Sequence, residues 1–437
     1  MEVRLDYGRR GLLVHLADHL HVSLVEPSKG PPLADPTRAV EDALATPIAA
    51  PALATLAAGR RDAVVVISDK TRPVPNAVVL PPVLRTLEAA GVARERIEIV
   101  VATGLHRPNT RAELVEMTSA DIVARYHVRN HIARHAGEHV YLGQTRRGTD
   151  IWLDRGFMTA DLKVVTGLIE PHLMAGYSGG RKGVAPGLAG VETMRSVHGP
   201  AMLEDNIGPG IIEGNPFHAD LMEIARLASV DFLVDVSIDR CRRLTGVFAG
   251  DMARAHEAGM RHVEREVRVD LDTPADIVIT SAGGYPLDAT FYQAIKGLTA
   301  ALNIVRRGGT IILAAALEEG IGSKDFQELL GSVRGHEDFM ARITSPGFFR
   351  IDQWMGQHLC QVLRKADVVL VTGGHAPAAL GGLNVSQAVT VEEALRTALV
   401  RYGEGAHVAL LPQGPYVLGT VRGRKLALGR AWTDEAA

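Results

Sequence analysis

The chain has 437 residues, 46% hydrophobic and 22% charged, with a formal net charge of −3. That length exceeds what one core fills and suits two or three domains, and the charge balance offers no general attraction to nucleic acid or an anionic membrane. Two cysteines, Cys241 and Cys360, and no run near the roughly 18 apolar residues of a spanning helix make a soluble, cytoplasmic protein the expectation.

The N-terminus, MEVRLDYGRR, is charged throughout and lacks a signal-peptide core. The first β-branched run is Ala63-Val-Val-Val-Ile-Ser68, ending in Asp69-Lys-Thr-Arg72. A helix follows with Leu80, Val83, Leu84 and Leu87 on one face, stopped by Gly91. Next come Ile97-Glu-Ile-Val-Val-Ala102 and the loop Thr103-Gly-Leu-His-Arg-Pro-Asn-Thr110, whose Asn109 or Thr110 suits a helix cap. His127, His131, His135 and His139 fall four apart, but Asn130 and Gly137 weaken a helix there. A partly solvated face is expected, rather than a metal stripe.

A third run, Leu162-Lys-Val-Val-Thr166, leads into Glu170-Pro-His-Leu-Met-Ala-Gly-Tyr-Ser-Gly-Gly-Arg-Lys-Gly-Val-Ala-Pro-Gly187. Its glycines let backbone N–H groups approach an anion. Lys182 is followed by Gly183, which a P-loop does not allow, and the G-x-G-x-x-G spacing of a dinucleotide site is missing. Beyond the break at Val269-Asp-Leu-Asp-Thr-Pro274, strands are predicted at Ala275–Thr280, Thr310–Ala314, Ala366–Val371 and His407–Leu411, with a helix over 289–306. Tyr292 and Lys296 share a face of that helix.

Strands alternating with helices predict an α/β protein of two domains, each with a mainly parallel sheet flanked by helices. The domains are expected over 1–270 and 271–437, the last residues packing back on the first. Ligands in such folds bind at the carboxyl ends of strands, here in the cleft between domains. Arg72 suits a carboxylate or phosphate, and His106 stands where a general base would.

The segments PHLMAGYSGGRKGVAPG with His198 in MRSVHGP, and GGYPLDATFYQAIKG, resemble the lactate racemase family of nickel-pincer, 2-hydroxy acid racemases and epimerases. The matching residues run from Asp69 to Trp354. The resemblance implies a pyridinium-3-thioamide-5-thiocarboxylic acid mononucleotide tethered to Lys182, with Ni(II) ligated by His198, made by separate cofactor-biosynthesis enzymes. It implies cofactor contacts at Asp69, Tyr177, Ser178, Gly179 and Gly180, acid/base roles for His106 and His172, and substrate contacts at Arg72, Tyr292, Gln293, Lys296 and Trp354. The expected substrate is a small 2-hydroxy acid, inverted at C2 by reversible hydride transfer, since removing a proton there would leave a carbanion beside a carboxylate. The competing readings are a nicotinamide-dependent hydroxy acid oxidoreductase and a non-catalytic ligand- or cofactor-binding protein.

Overall fold

The computed structural model describes residues 1–424, except 29, 204–205 and 374–377, and residue 426. Its principal strands are β1 (His21–Leu24), β2 (Ala63–Ser68), β3 (Ile97–Ala102), β4 (His127–Asn130), β5 (Leu162–Leu168), β6 (Phe232–Ile238), β7 (Leu244–Gly250), β8 (Ala275–Ser281), β9 (Val305–Ala314), β10 (Ala366–Val371), β11 (Ser386–Ala388) and β12 (His407–Leu411). The helices that matter for the site are α1 (Asn76–Ala89), α2 (Val191–Val197), α3 (Met252–Val267), α4 (Phe291–Ala301) and α5 (Gln353–Lys365).

Two six-stranded sheets organise the described residues, in the orders β7-β6-β5-β2-β3-β4 and β11-β10-β9-β8-β12-β1. The first is parallel except for the β6–β7 hairpin, and the second is parallel throughout. Five consecutive residues of β2, Ala63 to Ile67, are buried, as a strand covered on both faces requires. α1 lays Val79, Leu80, Val83, Leu84 and Leu87 on that sheet, and Gly91 follows its cap at φ +99°, a left-handed exit that glycine adopts without Cβ strain.

Several local expectations change in three dimensions. The helix expected over 289–306 ends at Ala301, and Val305 already pairs with Ala275 in the second sheet. β1 leaves the N-terminal half to lie beside β12, His21 opposite His407, so a single cut at 270/271 does not separate the sheets. In the other direction, Leu426 packs by the cluster of Ile169, Tyr177 and Met260, while residues 427–437 lie outside the described residues. The histidine quartet forms no helix but is partly solvated as expected, His127 and His135 being exposed. His127 starts β4, and His131 and His139 are buried with ring centroids 5.2 Å apart. Strand pairing turns two of the four inward, where His131 meets Asp154 at 3.2 Å. No described helix is long and apolar enough to cross a membrane.

Candidate active site

β5, β2 and β3 are neighbours in the first sheet, so the loops leaving their carboxyl ends open side by side. They line a cavity with Asp69, Arg72, His106, His172, Ser178, Gly179, Lys182 and His198, and the second lobe contributes Tyr292, Gln293, Lys296, Asp352 and Trp354. Residues expected from six separate segments thus share one space.

His106 is held from below. Its Nδ1 lies 2.6 Å from Asp69 Oδ2, while Thr71 donates to Asp69 Oδ1 through its amide at 3.1 Å and its hydroxyl at 2.6 Å. Burial alone would raise the Asp69 carboxyl, but the charge and hydrogen bond of His106, with those from Thr71, hold it below the usual range. With Nδ1–H committed to a carboxylate, Nε2 of the neutral ring carries a lone pair. Of the two cap candidates in the loop, Asn109 and Thr110, it is Thr110 that caps the helix, in a capping box with Glu113, the two exchanging side-chain and backbone hydrogen bonds.

The other histidine is set the opposite way. His172 Nδ1 accepts from the amides of Met174 and Ala175, each at 3.2 Å, so the neutral ring carries its proton on Nε2. Burial first, and then the charges of Lys182, Arg72, Lys296 and Arg181, push this imidazole well below its ordinary range.

Lys182 and His198 meet over Phe217. The lysine Nζ lies 5.6 Å from that ring centroid and the imidazole packs edge-on at 5.4 Å, with the tilted Trp354 ring 4.6 Å from the imidazole. His198 Nδ1 faces the Met194 carbonyl at 3.2 Å, which leaves the Nε2 lone pair available. Burial, then the Lys182 charge, depress His198 to about 3, against the Met194 hydrogen bond. The Lys182 ammonium is likewise disfavoured, first by burial and then by Arg72, Arg181 and Lys296, with Glu170 opposing. An amine whose ammonium form burial disfavours and an imidazole oriented through a backbone carbonyl fit a covalent tether and a metal ligand. Among the described residues no cluster of three or more His, Cys, Asp and Glu could hold a metal by itself.

The anion anchor also assembles. Lys296, on α4, is lowered by burial and by Arg72 to about 7, and Arg72 pairs directly with Glu170. Arg72 also lines a second cavity of about 650 Å³. Gln293 brings a buried Oε1 that has no partner among the described residues. Trp354 Nε1 donates to Tyr292 Oη at 3.0 Å.

Two expected contacts are not brought together with the rest. Tyr177 turns its ring into the cluster of Ile169, Met260 and Val263, because alternation along Gly176–Tyr177 places it opposite Ser178. Gly180 faces His256, which a Cβ there would approach to 2.6 Å. Neither lines the cavity. Ser178 lines it, and its hydroxyl donates to the Leu168 carbonyl at 2.6 Å.

Sequence reasoning passed over Glu170 and Asp352. Glu170 stands two residues before His172. Asp352 reaches the cavity in a left-handed conformation, φ +68°, and accepts from Ser323 Oγ at 2.6 Å. Burial raises its carboxyl despite that bond, the His106 charge and a further bond from Tyr292. The only sequence signal for Asp352 is an acid two residues before Trp354; its left-handed backbone is visible only in the structure.

Known proteins match along the whole arrangement. Residues 7–210 fit the model of the lactate racemase N-terminal domain, and 271–418 that of the lactate racemase C-terminal domain. The lactate racemase of Lactiplantibacillus plantarum is 36% identical over 378 residues, covering 86% of this chain and 89% of that protein. That of Thermoanaerobacterium thermosaccharolyticum is 31% identical over 421 residues, covering 95% and 98%. The solved apoprotein of a lactate racemase from the latter organism superposes with a TM-score of 0.90 at 32% identity, covering 96% of this chain and all of that one. A Thermotoga maritima protein, 18% identical with a TM-score of 0.69, shares the fold. With both lobes matched and relatives above 30% identity over most of the sequence, the chain belongs to the lactate racemase family and is an isomerase of the racemase type.

Proposed function

We propose that this protein inverts C2 of lactate or a closely related small 2-hydroxy acid, using a nickel-pincer nucleotide tethered to Lys182 and ligated by His198. The observation that carries the reading is the convergence of one amine and three imidazoles, Lys182, His198, His106 and His172, on one cavity that Arg72 also lines from the first lobe and Lys296 from the second. When bound, the cofactor supplies the acceptor for the C2 hydride, the step side chains cannot perform.

The residues of the chain account for the rest. Arg72 and protonated Lys296 grip the substrate carboxylate, the guanidinium through paired hydrogen bonds. His106 takes the hydroxyl proton on Nε2, and Asp69 stabilises the imidazolium that results. The planar 2-keto acid turns about its anchored carboxylate and presents its other face. In the turned pose the His172 ring turns so that Nδ1 leaves the Met174 and Ala175 amides and both ring nitrogens carry a proton; it gives one proton to the carbonyl oxygen as C2 is reduced and is left neutral, while His106 releases the proton it took to solvent. In the reverse direction the two histidines exchange roles. Trp354 and Phe217 exclude water from the imidazole of His198.

Protein co-expressed with the cofactor-making enzymes tests this directly. The expected results are an added mass on the peptide containing Lys182, one nickel per chain, and interconversion of the lactate enantiomers in a chiral assay without added NAD. Turnover only with NAD, giving net oxidation, would replace this reading with a dehydrogenase. Loaded protein without turnover on any 2-hydroxy acid would replace it with a carrier.

A further inference from the structure

Behind the glycine loop lies a chain of three buried ionisable side chains that the proposed reaction does not use. Asp235, on β6, and His256, on α3, are both buried, as is Arg181. His256 Nδ1 stands 2.7 Å from Asp235 Oδ2, and its Nε2 faces Arg181 Nη1 in direct contact. Arg181 Nη2 donates to the Ala175 carbonyl at 2.6 Å, and the Gly180 amide donates to Asp235 Oδ1 at 3.1 Å.

The polarity is consistent along the chain. Arg181 donates to Nε2, Nδ1–H donates to the Asp235 carboxylate, and a neutral imidazole joins two opposite charges removed from water. A proton on both ring nitrogens would set donor against donor at Arg181. Burial and the Arg181 charge lower His256, against Asp235. The loop is laid flat on this chain because its glycines carry no Cβ. One at Gly179 would come within 2.8 Å of Asp235 Oδ2, and on strand β5 one at Gly167 would come within 2.5 Å of Oδ1.

Arg181 and Lys182 are neighbours in the 3₁₀ turn Gly180–Gly183, where successive side chains point about 120° apart. Pinning Arg181 on one side therefore sets the direction of Lys182 on the other. We infer that the Asp235–His256–Arg181 chain is a positioning device that aims the Lys182 amine into the cavity for acylation, His256 serving as a neutral donor–acceptor bridge rather than as an acid or base. This rests on reading Lys182 as the attachment site.

The test uses the full chain without cofactor, so that a failure of positioning is told apart from a failure of cofactor attachment. Acetic anhydride acylates Lys182 and the exposed Lys324, and peptide mass spectrometry gives their rate ratio in wild type, His256→Gln and His256→Leu. A glutamine amide can accept from Arg181 and donate to Asp235, so His256→Gln should stay within about twofold of wild type. His256→Leu, with matching circular dichroism, should lose about tenfold or more in the Lys182 rate, as expected for an amine misplaced by about an ångström. Loading in cells should follow the same order. Should the leucine variant not fold, Arg181→Gln, shorter and uncharged, should show the same selective loss. A folded His256→Leu or Arg181→Gln protein acylated at the wild-type ratio, or a His256→Gln protein as impaired as His256→Leu, overturns the inference.

Discussion

His106 Nδ1 lies 2.6 Å from Asp69 Oδ2, the two residues standing at the ends of neighbouring parallel strands, β3 and β2. The pair fixes which imidazole nitrogen faces substrate. Asp69→Asn would let the amide present its oxygen or its NH₂ to Nδ1 and remove the charge that stabilises imidazolium. Racemisation should fall roughly 10²- to 10⁴-fold in kcat with a smaller change in KM. A variant keeping a tenth of wild-type kcat would mean that Asp69 does not orient the base.

Lys182→Ala should leave a folded protein with no cofactor mass on the chain and no racemase activity. His198→Ala should differ, retaining the organic adduct while losing nickel, since the imidazole ligates and the amine tethers. Intact mass and elemental analysis of the two variants check this. Equal nickel contents in wild type and His198→Ala would remove the histidine from the metal.

A pH dependence follows from Lys296, lowered to about 7 by burial and by Arg72. The group binds a carboxylate only as the cation. Its contribution is therefore complete at pH values well below 7 and is lost as the pH rises through the lysine pKa, which bound substrate shifts upward. KM should climb on the alkaline side by up to about tenfold per pH unit. Lys296→Met should raise KM at pH 6 and flatten the profile. An unchanged alkaline limb in that variant would assign the titration elsewhere.

The ion pair between Arg72 and Glu170 holds the guanidinium from the side of the second cavity, which both residues line. Arg72→Lys keeps the charge but loses the planar fork, and should raise KM about 10- to 100-fold with a smaller loss in kcat. Initial-rate kinetics at saturating and limiting substrate separate the two. A loss confined to kcat would move Arg72 from substrate binding to the chemical step.

Backbone packing behind the lysine sets a stability test. A Cβ at Gly187 would come within 2.5 Å of the Gly183 carbonyl oxygen and 2.7 Å of Ala102 Cβ, neither of which is the free end of a flexible chain. Gly187→Ala should cost about 1–3 kcal/mol in urea unfolding. A midpoint unchanged from wild type would show that the loop has room to relax.

Much of this molecule follows from local pattern. β2, β3, β10 and β12 occupy the residues read as strands because β-branched runs favour extended, half-buried or buried backbone, and the loops after β2, β3 and β5 carry Arg72, then His106, then His172 and Lys182, at the strands' open carboxyl ends. Local pattern does not contain the partners. β1 crosses to the second sheet, His131 and His139 turn inward, and Asp235 reaches His256 and Gly180 from distant segments, since such contacts leave no periodicity in the chain. The amides of Met174 and Ala175 decide which nitrogen of His172 carries the proton, and Asp69 decides the opposite for His106. Residue types are a property of the sequence. Tautomer, charge state and aim depend on hydrogen bonds and burial, which exist only once the chain has closed around them.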